Sequence, residues 1–171
     1  KLLLIAPVPN IYSKRASSIV PSGPFSSTSF EDTFPGFLPD SPPLLTLVLF
    51  GAKGNLSRIK LIPGLFHLDE AGKLPDEMKI LSVGRQSVSQ EEWVKTIKSM
   101  LDEKFNNQYD QKVFERFIKR NIYHANLPDD PNAFKKFAEL LLNDDRFPKN
   151  FAFFLSVRPS DFALIIDQLA I

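Results

Sequence analysis

The sequence has 171 residues and a formal net charge of +1, and 43% of its residues are hydrophobic and 24% charged. These values are typical of a globular domain, and the near-neutral charge gives no basis for a nucleic-acid partner. The absence of cysteine excludes disulfides, cysteine-ligated zinc and iron–sulfur clusters. No apolar run reaches the ~18 residues that a transmembrane segment needs.

Residues 1–43 differ in composition from the rest of the chain. They hold eight of the fourteen prolines and a serine cluster, and their first acidic residue is Glu31. Because proline fixes φ and removes a donor, we expect an extended arm or linker rather than a helix or a central strand. The arm could be disordered, or its apolar residues could lie along another protein subunit. Its basic, acid-poor start also resembles an organelle transit region (plastid or mitochondrion), with the cytoplasm as the alternative.

From residue 44 onward the pattern predicts alternating strands and helices. Strands are expected at the apolar runs 44–50, 79–84, 121–127 and 151–157. Helices are expected at 55–72, 89–105, 111–120, 131–144 and 159–171. Ser89 and Glu92 stand at capping-box spacing, and Pro131 and Pro159 suit first-turn positions.

This alternation predicts an α/β fold: a partial doubly wound, Rossmann-like sheet of about four mostly parallel strands, at 44–171, preceded by the Pro/Ser-rich arm. The first and fourth strands should be neighbours, which leaves the apolar strand 151–157 with one unpaired edge. Such an edge must be covered by further sequence, by a partner protein or by the arm of the chain itself.

The stretch "LFGAKGNLS" (49–57) joins the first strand to the first helix. Glycine at Gly51 and Gly54 allows a tight turn and the close approach of backbone N–H groups to a pyrophosphate, and Ser57 is small enough for close helix–strand packing. A turn without a ligand is the alternative. The second strand ends at "SVGRQS", where Arg85 stands in the place that reads the adenosine ribose. Arginine without a neighbouring acid favours NADP over NAD, although Arg85 alone could be a surface charge.

These segments, together with "ILSVGRQS" and "FAFFLSVRPSDF", resemble the N-terminal part of the glucose-6-phosphate dehydrogenase family over residues 45–171. That family has a G-A-[SK]-G-D-L-[AS] turn, a G-x-[AG]-R strand end and a strand that closes with L-A-[LVM]-P-P. The resemblance implies NADP as cofactor, with Arg85 at the 2′-phosphate and Val157 and Pro159 near the nicotinamide. It places six residues along the pyrophosphate: Gly51, Ala52, Lys53, Gly54, Asn55 and Leu56.

The sequence departs from the family pattern at two of these motifs. Asn55 replaces the aspartate of the glycine turn, so any role that needs a carboxylate is lost there. Arg158 replaces the first proline of the closing pair, where a long cation could crowd the nicotinamide or meet a phosphate.

The family's catalytic segments, of the E-K-P and R-I-D-H-Y-L-G-K types, are absent from these 171 residues. We assign no catalytic residue and no metal ligand, and we interpret His67 and His124 as structural. The prediction is therefore an NADP(H)-binding domain that does not transfer hydride on its own. The alternative is a non-catalytic accessory or scaffold subunit of a larger, possibly organellar or membrane-associated complex, tethered by its arm to other subunits.

Overall fold

A five-stranded sheet organises the computed structural model, which describes residues 3–6, 44–126 and 130–169. The strands are β1 (Leu3–Ala6), β2 (Thr46–Phe50), β3 (Lys79–Gly84), β4 (Asn121–Ala125) and β5 (Phe151–Leu155). Their order across the sheet is β1-β5-β2-β3-β4. The strands β2, β3, β4 and β5 are parallel to one another, and β1 pairs with β5 in the antiparallel direction.

This arrangement confirms the predicted α/β, mostly parallel Rossmann-like sheet, including the neighbouring first and fourth predicted strands. The outer edge of β5 is paired with residues 3–6, a segment of the predicted arm. The arm was one of the three possible partners that the sequence indicated for this edge. The remaining arm residues, 7–43, lie outside the described residues, so the expectation of an extended arm is not tested there.

Within the described ranges, five α-helices cover the two faces of the sheet. Their bounds are α1 (Ile62–Glu70), α2 (Gln90–Phe105), α3 (Gln111–Arg120), α4 (Ala133–Asn143) and α5 (Phe162–Leu169). Helices α1, α2 and α3 pack on one face around Phe66, Trp93 and Phe117. Helices α4 and α5 pack on the other face around Phe137 and Ile165. Every helix in the described ranges is too short or too polar to traverse a lipid bilayer.

The first helix is not regular. Helical backbone begins at Asn55 and widens into a π-helical stretch, Ser57–Leu61, before α1. The Ile62 N–H reaches back to the Ser57 carbonyl, one residue further than in an α-helix. Pro63 follows at once; it lacks an N–H, and its ring would crowd the carbonyl four residues before it. The wider turn fits this local constraint and keeps the helix continuous across the proline.

Side-chain hydrogen bonds cap the starts of α2 and α3. The Ser89 hydroxyl accepts from the Glu92 N–H at 3.1 Å and the Glu92 carboxylate accepts from the Ser89 N–H at 3.0 Å, which confirms the predicted capping box. The predicted start of α4 at Pro131 is wrong, because the helix begins at Ala133. The Asp130 carboxylate accepts from the Asn132 N–H at 2.9 Å, and this turn precedes the helix.

The C-terminal helix also begins later than predicted. Pro159–Asp161 form a single 3₁₀ turn, and α5 follows from Phe162. Proline at position 159 is compatible with the 3₁₀ turn because its missing N–H would have no helical acceptor.

The predicted strands at 44–50, 121–127 and 151–157 are each shorter in the structure.

Candidate functional site

The turn that leaves β2 lies at the carboxyl edge of the sheet. Gly51 has φ +78°, a left-handed conformation that favours glycine. The N–H groups of Gly51 and Ala52 both donate to the Val83 carbonyl, at 3.0 and 3.1 Å, which ties the turn to the end of β3. The Gly54 N–H donates back to the Gly51 carbonyl at 2.9 Å and closes the turn.

The same turn is pressed against the end of β5. A Cβ added to Gly51 would lie 2.2 Å from the Ser156 carbonyl oxygen, and one added to Gly54 would lie 3.0 Å from the Gly51 oxygen. Ser57 is fully buried, and its hydroxyl donates to the Gly51 carbonyl at 2.9 Å. Glycine is thus required at these two positions because β2, β5 and the first helix approach closely. The turn lies between β2 and β5, where the order of the strands reverses. In doubly wound sheets this is the crevice in which ligands bind.

The start of the first helix faces this crevice. The N–H groups of its first turn have no intrahelical acceptor, and the turn carries no acidic side chain. Asn55 is exposed at the first helical position. A helix terminus of this kind carries a partial positive charge and free donors, both of which suit a phosphate group.

The loop after β3 brings cations to the same edge. Arg85 is exposed directly after Gly84, the last residue of β3. Lys53, from the glycine turn, donates to the Gln86 side-chain oxygen at 2.9 Å and so joins the two loops. The Tyr123 hydroxyl donates to the Gln86 carbonyl at 2.8 Å, which holds the loop against the end of β4.

Gly84 is required beneath that tyrosine. A Cβ at Gly84 would meet the Tyr123 hydroxyl oxygen at 2.1 Å. Neither Gln86 nor Tyr123 stands out in the sequence, because their contacts join residues more than thirty positions apart. Only the position of Gln86, next to Arg85, could have drawn attention to it.

A shallow basic cleft opens beside the glycine turn, with a volume of about 410 Å³. Its lining residues are Lys53, Arg58, Lys95, Thr96, Ser99 and Met100. The Arg58 Nε donates to the Glu103 carboxylate at 3.0 Å, so that part of its charge is compensated. The cleft extends the cationic character of the carboxyl edge along α2.

The segment after β5 completes the edge. Val157 adjoins the turn, since its Cγ1 would lie 3.1 Å from a Cβ on Gly51. Pro159 opens the 3₁₀ turn two residues later. Arg158, between them, is exposed, and its Nε lies 3.4 Å from the Asp161 carboxylate. Arg158, the cation that departs from the family pattern, is therefore paired with a carboxylate of the same turn.

The two histidines lie apart from one another. His67 is exposed on α1, 3.4 Å from the Glu70 carboxylate. His124 is partly buried on β4, where its ring lies 5.6 Å from that of Phe137. Burial lowers the pKa of His124, which favours a neutral imidazole.

The structure therefore brings the predicted site residues to one edge of the sheet. The glycine turn, Gly51–Leu56, contacts the ends of β3 and β5 through Val83 and Ser156. Arg85 and Val157 follow these two strand ends by two residues or fewer.

The family model described as "Glucose-6-phosphate dehydrogenase, NAD binding domain" matches residues 48–171. Among curated relatives, glucose-6-phosphate 1-dehydrogenase of Chlamydia pneumoniae is 31% identical over 134 residues, covering 77% of this chain and 26% of the relative. The enzyme of the same name from Dickeya dadantii is 31% identical over 124 residues, covering 72% and 24%.

Solved structures give the same result. Glucose-6-phosphate 1-dehydrogenase from Mycobacterium avium superposes with a TM-score of 0.64 at 25% identity, over 75% of this chain and 27% of that structure. A glucose-6-phosphate dehydrogenase in complex with its substrate glucose-6-phosphate superposes with a TM-score of 0.62 at 28% identity, over 74% and 27%. The chain thus spans about a quarter of the length of these relatives. The chain belongs to the glucose-6-phosphate dehydrogenase family, within its nucleotide-binding, Rossmann-type domain.

Proposed function

We propose that this domain binds NADP(H) at the carboxyl edge of the sheet. The observation that carries the proposal is the juxtaposition of three features: the Gly51–Gly54 turn, the open start of the first helix, and the exposed cation of Arg85. A dinucleotide needs donors for its pyrophosphate and a reader for its adenosine ribose. These features supply both within one crevice.

In this proposal the pyrophosphate lies against the backbone of residues 51–56. Gly51, Ala52, Lys53, Gly54, Asn55 and Leu56 form its cradle. Support comes from the absence of Cβ atoms at the two closest points and from the unpaired N–H groups of the first helical turn. Asn55 retains its backbone donor, so its change from aspartate leaves the phosphate contact possible.

Arg85 is proposed to hold the 2′-phosphate that distinguishes NADP from NAD. Arginine pairs with phosphate through two parallel N–H···O bonds, a geometry that lysine lacks. The Lys53 ammonium, held at Gln86, adds a second positive charge to the same pocket. Both charges favour the dianionic 2′-phosphate over the neutral ribose hydroxyl of NAD.

Val157 and Pro159 are proposed to lie at the nicotinamide end of the site. This assignment is supported by the nearness of Val157 to the glycine turn, because a Cβ added to Gly51 would lie 3.1 Å from the Val157 Cγ1. The pairing of Arg158 with Asp161 directs that cation to a neighbouring carboxylate. We propose no catalytic residue among the 171, and hence cofactor binding without hydride transfer by these residues alone.

Calorimetric titration of the whole chain with NADP⁺ and NAD⁺ tests the proposal. Arg85→Ala should weaken NADP⁺ binding by about 10- to 100-fold, since a hydrogen bond to a charged group is worth ~1.5–3 kcal/mol, and should leave NAD⁺ binding almost unchanged. The matched control is Lys73→Ala, which removes an exposed cation from the loop between α1 and β3, at the opposite edge of the sheet.

Two outcomes would contradict the proposal. One is the absence of NADP⁺ binding to the unaltered chain, which would favour the alternative of an accessory or scaffold subunit. The other is an equal loss of affinity for both nucleotides in the Arg85→Ala variant, which would show that Arg85 does not bind the 2′-phosphate.

A further inference from the structure

The loop that joins β3 to α2, residues 85–89, carries Arg85 at its start. Its residues are exposed except Val88, which is partly buried and packs against the core beneath α1, α2 and α3. Exposed loops are usually more mobile than the strands and helices that they join. An arginine on a mobile loop loses conformational freedom when it binds a phosphate, and this loss lowers the affinity. The contacts that fix this loop therefore bear on how well Arg85 can bind.

The strand β4 holds the middle of the loop through Tyr123. The Tyr123 hydroxyl donates to the Gln86 carbonyl at 2.8 Å. Its ring passes close to Gly84, where an added Cβ would lie 2.1 Å from the hydroxyl oxygen, and packs 5.1 Å from the ring of Trp93 in the first turn of α2. Because Trp93 is fully buried, it gives the tyrosine ring a fixed surface on which to pack.

The same strand holds the end of the loop through Gln90, the first residue of α2. The Gln90 Nε2 donates to the Asn121 carbonyl at 2.7 Å, and its Oε1 accepts from the Tyr123 N–H at 3.0 Å. A residue of a neighbouring parallel strand would engage the same two groups, the carbonyl of one residue and the N–H of the residue two positions later. The Gln90 carboxamide thus takes the place of a strand residue beside β4 and joins the start of α2 to the sheet.

The start of β4 is itself fixed by buried hydrogen bonds. The Asn121 side-chain oxygen accepts from the Trp93 indole N–H at 2.9 Å and from the Ser82 hydroxyl at 2.8 Å. All three residues are fully buried, where a hydrogen bond is electrostatically stronger than in water. The strand β4 therefore gives the loop a rigid base, to which both its middle and its end are bonded.

We propose that Tyr123 is a positioning residue for Arg85 and thereby determines selectivity for NADP over NAD, an inference that rests on the proposed function. Its hydroxyl acts through the carbonyl of Gln86, the residue after Arg85, without contacting the nucleotide. A loop fixed in this way leaves Arg85 less conformational freedom to lose when its guanidinium binds the 2′-phosphate. NAD lacks that phosphate, so its binding gains nothing from the fixed loop.

Backbone ¹⁵N relaxation without nucleotide tests the positioning itself. Tyr123→Phe keeps the ring and removes only the hydroxyl, and the order parameters of the Gln86 and Ser87 amides should fall from about 0.85 toward 0.6. Tyr109→Phe is the matched control, since it removes a hydroxyl that donates to Asp102 at 2.6 Å near the other end of α2. It should leave both amides unchanged. Unchanged order parameters in Tyr123→Phe overturn the proposal, whether or not the protein binds a nucleotide.

Calorimetric titration tests the selectivity. Tyr123→Phe should weaken NADP⁺ binding by about 3- to 10-fold, the worth of one hydrogen bond, and should leave NAD⁺ binding unchanged. Tyr109→Phe should change neither affinity, so a shared loss of stability cannot produce this result. An unchanged ratio of the two affinities in Tyr123→Phe overturns the inference while the proposed function stands. Absence of NADP⁺ binding to the unaltered chain would instead contradict the proposed function, and with it the selectivity role of Tyr123.

Discussion

The two faces of the sheet are covered to different extents. On the face of α1, α2 and α3, Phe66 is enclosed by the rings of Phe105, Tyr109 and Phe117, all within 5.7 Å between ring centroids. On the face of α4 and α5, Leu142 is 66% exposed and Leu164 60%, compared with 40% for Leu68 on α1. Both faces have an apolar core, but the first also contains buried polar links between its elements.

Those links connect helices to each other and to the sheet. Asp69, at the end of α1, is buried and pairs with Arg116 at 3.1 Å and with Arg120 at 2.9 Å. The Asn121 side-chain oxygen accepts from Trp93 at 2.9 Å and from Ser82 at 2.8 Å. Three successive helices, with buried ion pairs and hydrogen bonds between them, therefore stabilise the first face. The second face is stabilised mainly by the apolar contacts around Phe137 and Ile165.

The largest expected effect is on the first face. Phe66→Ala removes a fully buried ring from the aromatic cluster and should lower the free energy of unfolding by ~3–5 kcal/mol, because a cavity is left behind. Denaturant unfolding of the variant and of the unaltered protein measures this difference. A loss below ~1 kcal/mol would mean that the cluster is loosely packed, and the contrast between the faces would then disappear.

Asp69→Asn should have an effect of similar size. It leaves the buried Arg120 guanidinium without its carboxylate, and breaking one partner of a buried ion pair costs ~3–5 kcal/mol. Arg116→Met is the matched control on the same carboxylate. Because Arg116 is about half exposed, its loss should cost ~1 kcal/mol or less. Equal losses in the two variants would contradict a dominant role for the buried pair.

The pH dependence of stability should involve His124, which packs against the second face. Its pKa is lowered by burial, so the unfolded chain takes up a proton near pH 6.5 that the folded chain resists. Its contribution is fully present above pH 6.5 and is lost as the pH falls toward the folded pKa. His124→Phe should reduce the fall in unfolding free energy between pH 7.5 and 5.5; an unchanged fall would exclude this role.

The smallest effect is expected at the exposed leucines. Leu142→Ser should change the free energy of unfolding by no more than ~0.5 kcal/mol, because its side chain is largely exposed already. The buried Leu141, one residue earlier on α4, is the matched control, and Leu141→Ser should destabilise several-fold more. Similar losses at the two positions would show that the second face is more enclosed than the structure indicates.

Much of this arrangement could be predicted from local sequence signals. Apolar runs and helical periodicity identified the parallel strands and the helices, and the Ser89–Glu92 capping box identified the start of α2. The positive φ of Gly51 agrees with the turn that the glycine spacing predicted. These features depend on residues close together in the chain, so the sequence displays them directly.

Other features depend on contacts between distant residues and could not be predicted in this way. The pairing of β1 with β5 joins residues almost 150 positions apart. The apolar strand 151–157 indicated an edge that needs a partner, but not which of the three possible partners pairs with it. The Lys53–Gln86 hydrogen bond and the Asp69–Arg120 ion pair are likewise tertiary. The π-helical stretch before Pro63 depends on residues close together in the chain. A proline indicates that the helix is irregular there, but it does not indicate a π-helical turn.

Amide chemical shifts report most directly on the proposed binding of NADP(H) at the carboxyl edge. Titrating ¹⁵N-labelled protein with NADP⁺ should shift the amides of Gly51 to Leu56 and of Arg85, with little change at Lys73 on the opposite edge. The Arg85→Ala variant should retain the shifts of the glycine turn at higher nucleotide concentration. Shifts confined to other surfaces, or none at saturating NADP⁺, would contradict the account.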